Sequence, residues 1–326
     1  MKKESHNGWI TKAMTLITVG LIAGCSPMAP LQRNAQPNLA IQADNHSAAV
    51  WKEGAVMIHT VDSIPYVTLN DLCKTLQLRM KWQQETATVS LGDYAPEYVL
   101  QVGSTDATKA GKAMKLPQSP ILSNSEVLLP VCSIGSLFQD ELQFTVMEKS
   151  IQFSPVKQAS IKASFHIGEA TEKPSGEVGS HKIRAKGART QGSADDLVQR
   201  ARRYVGVGYE FAAAPFPESG TFDASSYLQY IFQHEGIPLA RSLSEQAEQG
   251  TRVQPDKLQK GDVLFFQEAY RYRTSHAAHA GLYIGDYQMI HAAPEPKKGV
   301  QISRIDTVYW NDRFVKAQRM VAPGSK

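Results

Sequence analysis

The sequence predicts an α+β protein: two small folded regions, each with helices packed on antiparallel strands, behind an exported N-terminus. Three observations predict it. Between residues 48 and 154 the apolar pattern repeats at an offset of 62 residues; between 193 and 321 two amphipathic helical patterns precede four strand patterns; and a short apolar run precedes Cys25. With 326 residues, 42% of them apolar and 20% charged, the chain is too apolar and too varied to be disordered, and at roughly 150 residues per domain it suggests about two domains. The formal charge is +4, and without residues 1–24 there remain 32 basic and 30 acidic residues. So mild a balance gives no argument for a nucleic-acid partner.

At the N-terminus, Lys2, Lys3 and Lys12 precede an apolar stretch from Ala13 to Ala23. That is shorter than the roughly 20 residues needed to span a bilayer, as in a cleaved export signal. It ends in Leu21-Ile22-Ala23-Gly24-Cys25, which resembles a bacterial lipobox. The resemblance implies a leader over residues 1–24, a lipid on Cys25, and anchorage at the outer face of the cytoplasmic membrane or cell wall. Each buried acyl methylene holds such an anchor by about 0.8 kcal/mol. An ordinary secretory signal that happens to contain a cysteine is the alternative. Residues 25–47, rich in Pro, Ala, Gln and Asn, read as a flexible tether.

Over residues 48–154 the offset places Leu69 on Val131, Leu72 on Ile134, Leu76 on Phe138, Met80 on Leu142, Trp82 on Phe144, Val89 on Ile151 and Leu91 on Phe153. Spacings of three and four give a helical stripe, and the alternating positions after it give two half-buried strands. This small duplicated α+β region resembles the copper amine oxidase N-terminal domain. No copper is expected, because His59, with His46 just before the region, gives too few imidazoles for a copper site, which wants several. Cys73 and Cys132 stand beside no histidine and read as small buried apolar residues; their pairing is left open. Residues 155–192, dominated by Lys, Gly, Ser and Thr, read as a linker in which Ile161 to Ile167 has the pattern of one short strand.

In the region 193–326, Ser193 and Asp196 mark a helix start, and Leu197, Val198, Ala201, Tyr204 and Val205 form its apolar face. Asp223 is placed to cap a second helix with Ala224, Tyr227, Leu228, Ile231 and Phe232 on one side. Val263–Phe266, His279–Ile284, Gln288–Ala292 and Val300–Arg304 read as antiparallel strands. Tyr209, Phe222-Asp223-Ala224-Ser225-Ser226, Arg241–Gln246, Leu258–Val263, His279–Gly285 and Met289–Ala292 follow one another in the order of NlpC/P60 cell-wall peptidases, which this region resembles. The resemblance implies a papain-like fold and a cysteine peptidase acting on D-glutamyl–diaminopimelate bonds of peptidoglycan stem peptides. It places the family's histidine on His279, the residue that orients it on His291 and the oxyanion donor on Tyr209. Asp223, Ser225 and Arg241 then fall on the peptide-binding side. No cofactor or metal is implied. His276, His279 and His291 lack a carboxylate or cysteine beside them and are not read as a zinc site. Tyr270-Arg271-Tyr272-Arg273 reads as a solvated loop, with contact to glycan or an acidic wall polymer as the alternative.

The family's cysteine falls on Ala224. Alanine has no nucleophilic atom, and Ser225 points roughly 100° away around the helix. Either the alanine replaces cysteine in an otherwise active enzyme, or the nucleophile has been lost naturally. Ala212-Ala213 in place of Gly-Gly, and Leu243 in place of a serine, favour natural loss and a pseudoenzyme that keeps a groove for wall peptides; a spacer role is the third reading. His279 and His291 lie symmetrically about Gly285, so they share a face of one hairpin only if its turn is odd or a bulge intervenes.

Overall fold

The protein is described by a computed structural model over residues 54–156, 194–268, 270, 272–273 and 277–320. The expected leader, Cys25, the tether, His46, Ser193, Arg271, His276 and nearly all of the 155–192 segment, including its candidate strand, lie outside the described residues.

The N-terminal half runs β1 (Ala55–Met57), β2 (His59–Val61), β3 (Ile64–Thr68), α1 (Leu69–Leu76), β4 (Arg79–Gln83), β5 (Thr88–Gly92), β6 (Pro96–Gln101), β7 (Asp106–Lys109) and β8 (Lys112–Lys115). It continues with β9 (Ile121–Ser123), β10 (Glu126–Pro130), α2 (Val131–Phe138), β11 (Phe144–Val146) and β12 (Ser150–Phe153). The 62-residue offset is thus a structural repeat: β2, β3, α1, β4 and β5 recur as β9, β10, α2, β11 and β12. Thr68 caps α1 by accepting from the Asp71 N–H at 3.1 Å. The two copies meet through antiparallel β3–β10 pairing, with Val67 opposite Leu129. Leu69, Leu72 and Leu76 of α1 and Ile134, Leu137 and Phe138 of α2 are buried in one core. Cys73 and Cys132 are free thiols, and burial pushes the Cys73 thiol up to about 12.

The C-terminal half runs α3 (Ala194–Arg202), α4 (Phe216–Ser219), α5 (Ala224–Gln233), α6 (Leu243–Gln246), β13 (Thr251–Val253), β14 (Val263–Phe266), β15 (His279–Gly285) and β16 (Gln288–Ala293). It ends with β17 (Gly299–Arg304), α7 (Val308–Arg313) and β18 (Phe314–Arg319). Six antiparallel strands in the order β13-β18-β14-β15-β16-β17 form one sheet. One face buries Val263, Phe265, Leu282 and Ile290 against Leu197, Tyr227, Leu228, Ile231 and Phe232 of α3 and α5. The other buries Leu264, Phe266, Met289 and Phe314, with Trp310 of α7 packed against them. The fold is therefore α+β with helices on antiparallel sheets. Strands β13 and β18 are absent from the sequence reading because Thr251–Val253 is short and Phe314–Arg319 carries Lys316 and Arg319 among its apolar residues.

The two halves pack into one compact unit. Lys81 of β4 donates to Glu210 Oε1 at 2.6 Å and to the Ala212 carbonyl at 3.0 Å. The segment expected to be a solvated loop is instead an anchor. Tyr272 packs into the N-terminal core, and Arg273, only 3% exposed, donates to the Leu76 carbonyl at 2.9 Å and forms an ion pair with Asp93. Burial of a guanidinium is tolerable only with such partners, and Asp93 supplies the opposite charge. Because Leu72 and Ile134 fill equivalent places in the repeat, Leu72→Ala and Ile134→Ala are each expected to cost about 2–5 kcal/mol. Chemical denaturation checks this, and a large disparity between the two would show that the copies do not share the core equally.

Candidate functional site

The site is built around the start of α5. Asp223, completely buried, caps the helix: its Oδ1 accepts from the Ser226 N–H at 2.8 Å, while Ser226 Oγ accepts from the Asp223 N–H at 2.9 Å. The same carboxylate accepts from the Ala213 N–H at 3.1 Å and from both terminal nitrogens of Arg241, a bidentate pair. Ser225 Oγ donates to Asp223 Oδ1 at 3.1 Å and accepts from Arg241 at 2.5 Å. The Ser225 hydroxyl is thus tied into the Asp223–Arg241 network. Arg241 also donates to the Ala213 carbonyl at 3.2 Å. Ala212, in the loop that Asp223 holds, has φ +52°, a left-handed backbone that suits glycine far better than a residue with a Cβ. Ser242 caps α6 and Leu243 is buried in the core.

Ala224 is the first residue of α5 and fully buried, so a methyl group stands at the head of the helix. Helix α5 packs on β15 and β16, which carry His279 and His291. The hairpin register places Leu282 opposite Ile290 and Tyr283 opposite Met289, then shifts by a bulge before Gly285 pairs with Gln288. That bulge sets His291 across from Gly281, two residues from His279 and on the same face. Gly281 lets these side chains sit close, since a Cβ there would come within 2.6 Å of Met289 Sδ and 3.2 Å of His291 Cβ. His279 Nε2 lies 2.7 Å from His291 Nδ1, and His291 Nε2 lies 2.8 Å from Ser303 Oγ of β17. Trp310 stacks on His279 at 5.6 Å and meets His291 edge-on at 5.6 Å.

Both imidazoles are buried. Burial first, and the neighbouring His291 second, hold His279 well below the usual histidine range, and burial pushes His291 down to about 3. Both rings are therefore neutral at pH 7. His279 Nδ1 is buried and has no hydrogen-bond partner among the described residues. With the relay proton on Nε2, that nitrogen presents a lone pair, as a base serving a nucleophile needs. Tyr209 is 4% exposed, and burial pushes its phenol up, so it remains a hydrogen-bond donor at neutral pH.

One participant comes from the N-terminal half. The Tyr94 carbonyl accepts from the Ala224 N–H at 3.0 Å and from the Tyr209 hydroxyl at 3.3 Å, and the Tyr94 ring lies 4.2 Å from that of His279. The sequence reading missed Tyr94, Ser303 and Trp310. Ser303 lies in a strand that pattern reveals, but its partner depends on register. Nothing local to Gly92-Asp93-Tyr94-Ala95-Pro96 links it to a helix some 130 residues on. Among the described residues no group of three or more potential ligands gathers for a metal.

Residues 206–319 match the NlpC/P60 family, and residues 49–151 match the copper amine oxidase N-terminal domain. The C-terminal half thus carries an NlpC/P60 family domain. The chain is similar to a gamma-DL-glutamyl hydrolase of Bacillus subtilis, 35% identical over 140 residues, covering 43% of this chain and 33% of the relative. It is also similar to a gamma-D-glutamyl-L-lysine dipeptidyl-peptidase of Bacillus cereus, 32% identical over 128 residues, covering 39% and 36%. It thus spans about a third of the length of these curated relatives. A crystal structure of an NlpC/P60 family protein from Bacillus cereus aligns over 74% of this chain and 78% of that one, at 17% identity and a TM-score of 0.35.

Two predictions follow from the geometry. Asp223→Ala removes a helix cap worth about 1 kcal/mol and strips Arg241 of a charge-assisted pair worth about 1.5–3 kcal/mol. A loss of about 3 kcal/mol in denaturant unfolding is expected, and one below about 1 would show that Asp223 is not the organiser of this loop. Second, the ring resonances of His279 and His291 should stay at neutral-form positions from pH 8 to pH 5 by NMR. The sign is clear: an unfolded chain takes up these protons below about pH 6.5 and the folded one refuses them, so the pair withdraws stability as pH falls through that value. Glu97, which burial raises from 4.5 to about 7, works in the opposite sense over the same window. The rings themselves, rather than the melting temperature, therefore isolate the effect.

Proposed function

We propose that the protein binds peptidoglycan stem peptides without cleaving them, through an NlpC/P60 groove that has lost its nucleophile. The observation that carries this reading is Ala224 at the head of α5, the helix that packs on the two strands carrying the buried histidine pair. Amide cleavage needs a thiolate at that helix head, activated by the helix N-terminus and a base. A methyl group supplies neither charge nor electron pair, and removing the nucleophile of such a unit costs on the order of 10⁶-fold in turnover. Ser225 is no substitute: its hydroxyl is held by Asp223 and Arg241, and it is far less acidic than a thiol. Tyr209, Asp223, Ser225, Arg241, His279 and His291 then preserve the groove rather than a reaction. The relatives' names, a gamma-DL-glutamyl hydrolase and a gamma-D-glutamyl-L-lysine dipeptidyl-peptidase, support a D-glutamyl peptide as the ligand class. The domain limits 48–154 and 193–326, the leader, the Cys25 lipid and the position at the outer face of the membrane complete this proposal.

Incubation of the protein with purified muropeptides, following cleavage by chromatography and binding by calorimetry, tests it. Binding without cleavage is expected, with turnover appearing in Ala224→Cys. Cleavage by the present sequence would overturn the pseudoenzyme reading, and neither binding nor rescue would reduce the domain to a spacer.

A further inference from the structure

We propose that the N-terminal half is a resident ligand of the C-terminal site: the loop Asp93–Ala95 seats its Tyr94 carbonyl where a substrate carbonyl would bind, and a peptide must displace it. The inference deepens the reading above and rests on it for the nature of the competing ligand. Two donors from different elements converge on this one oxygen, the Ala224 N–H at 3.0 Å and the Tyr209 hydroxyl at 3.3 Å. Convergence of a backbone N–H and a side-chain O–H on a single carbonyl oxygen is the geometry of an oxyanion pocket. The Tyr94 ring lies 4.2 Å from the His279 ring, over the imidazole whose buried Nδ1 has no partner.

The loop is built to hold this pose. Gly92 is needed for its sharp turn, since a Cβ there would fall 2.1 Å from the Ala95 carbonyl oxygen. Ala95, though part of the N-terminal half by sequence, is 4% exposed within the core cluster of the C-terminal half. The Tyr94 hydroxyl donates to Glu268 at 3.3 Å, and Tyr270 donates to Asp93 at 2.8 Å beside the Asp93–Arg273 ion pair. The Lys81–Glu210 pair, partly exposed on both sides, adds a second clasp. A cleft of about 340 Å³, lined by Arg79, Asp93, Tyr94, Glu268 and Tyr270 among others, borders the loop. Tyr94, whose carbonyl fills the pocket, therefore also walls this cleft.

The test uses the introduced thiol of Ala224→Cys as a probe of access. In the full-length chain its alkylation by iodoacetamide is followed by peptide mass spectrometry, which separates it from Cys25, Cys73 and Cys132. Adding Tyr94→Gly, which keeps the carbonyl but removes the ring beside His279 and the hydroxyl's bond to Glu268 that hold the loop in place, should speed alkylation about tenfold, the effect of losing roughly one net hydrogen bond. Adding Lys81→Ala, at a partly exposed clasp clear of the core, should speed it by a smaller factor and keeps the test decisive if the first variant fails to fold. Equal rates in all three backgrounds would overturn the latch. Muropeptide binding by the Ala224 chain, with and without Tyr94→Gly, separates the two ideas. Faster alkylation with no peptide bound by either chain leaves the latch standing and sinks the peptide reading. Equal rates with unchanged binding do the reverse.

Discussion

The buried carboxylate of Asp223 is the constraint on which the C-terminal site depends. It terminates α5, fixes the Ala212–Ala213 loop through a backbone N–H, draws Arg241 across the groove and orients the Ser225 hydroxyl. A charge with no solvent contact is tolerable only when every lone pair is used, and here helix, loop and guanidinium use them together. The consequence is that the helix head is positioned by structural demands that do not involve a nucleophile. A methyl group at Ala224 leaves all of these bonds intact.

The histidine pair shows the other side of the same balance. Two buried imidazoles and a partly buried serine hydroxyl form a hydrogen-bonded chain, and among the described residues the buried Nδ1 of His279 has no partner. Such a group opposes folding. The methyl group of Ala224 supplies no hydrogen-bonding atom that could offset that cost. The seated Tyr94 ring and the stacked Trp310 supply packing on two sides of His279 that would otherwise be lost.

Much of this was legible in the sequence, for stated reasons. The 62-residue repeat is visible because each copy buries the same face at the same spacing, so Leu72 and Ile134 advertise one another. Helix α5 and strands β14 to β17 are visible because a cap residue, a helical stripe and alternating apolar runs are all local signals. The alanine at the helix head is plain once the motif order is followed. What stays hidden is whatever depends on where distant segments meet. The burial of Tyr272 and Arg273 in the other half inverts their composition, and Tyr94 reaches Ala224 only because two halves fold against each other. Ser303 joins His291 by the register of β16 with β17, and the bulge before Gly285 that puts His279 and His291 on one face is revealed only by the backbone.

The central pairing of β3 with β10 carries a consequence for how the N-terminal half can be divided. Each strand satisfies its neighbour across the join of the two copies, and Val67 and Leu129 are both fully shielded there. A fragment holding one copy would present a bare strand edge flanked by aliphatic side chains, a surface that recruits an identical surface. Duplication within a single polypeptide has in effect made permanent what would otherwise be a two-chain assembly, trading concentration dependence for a covalent connection.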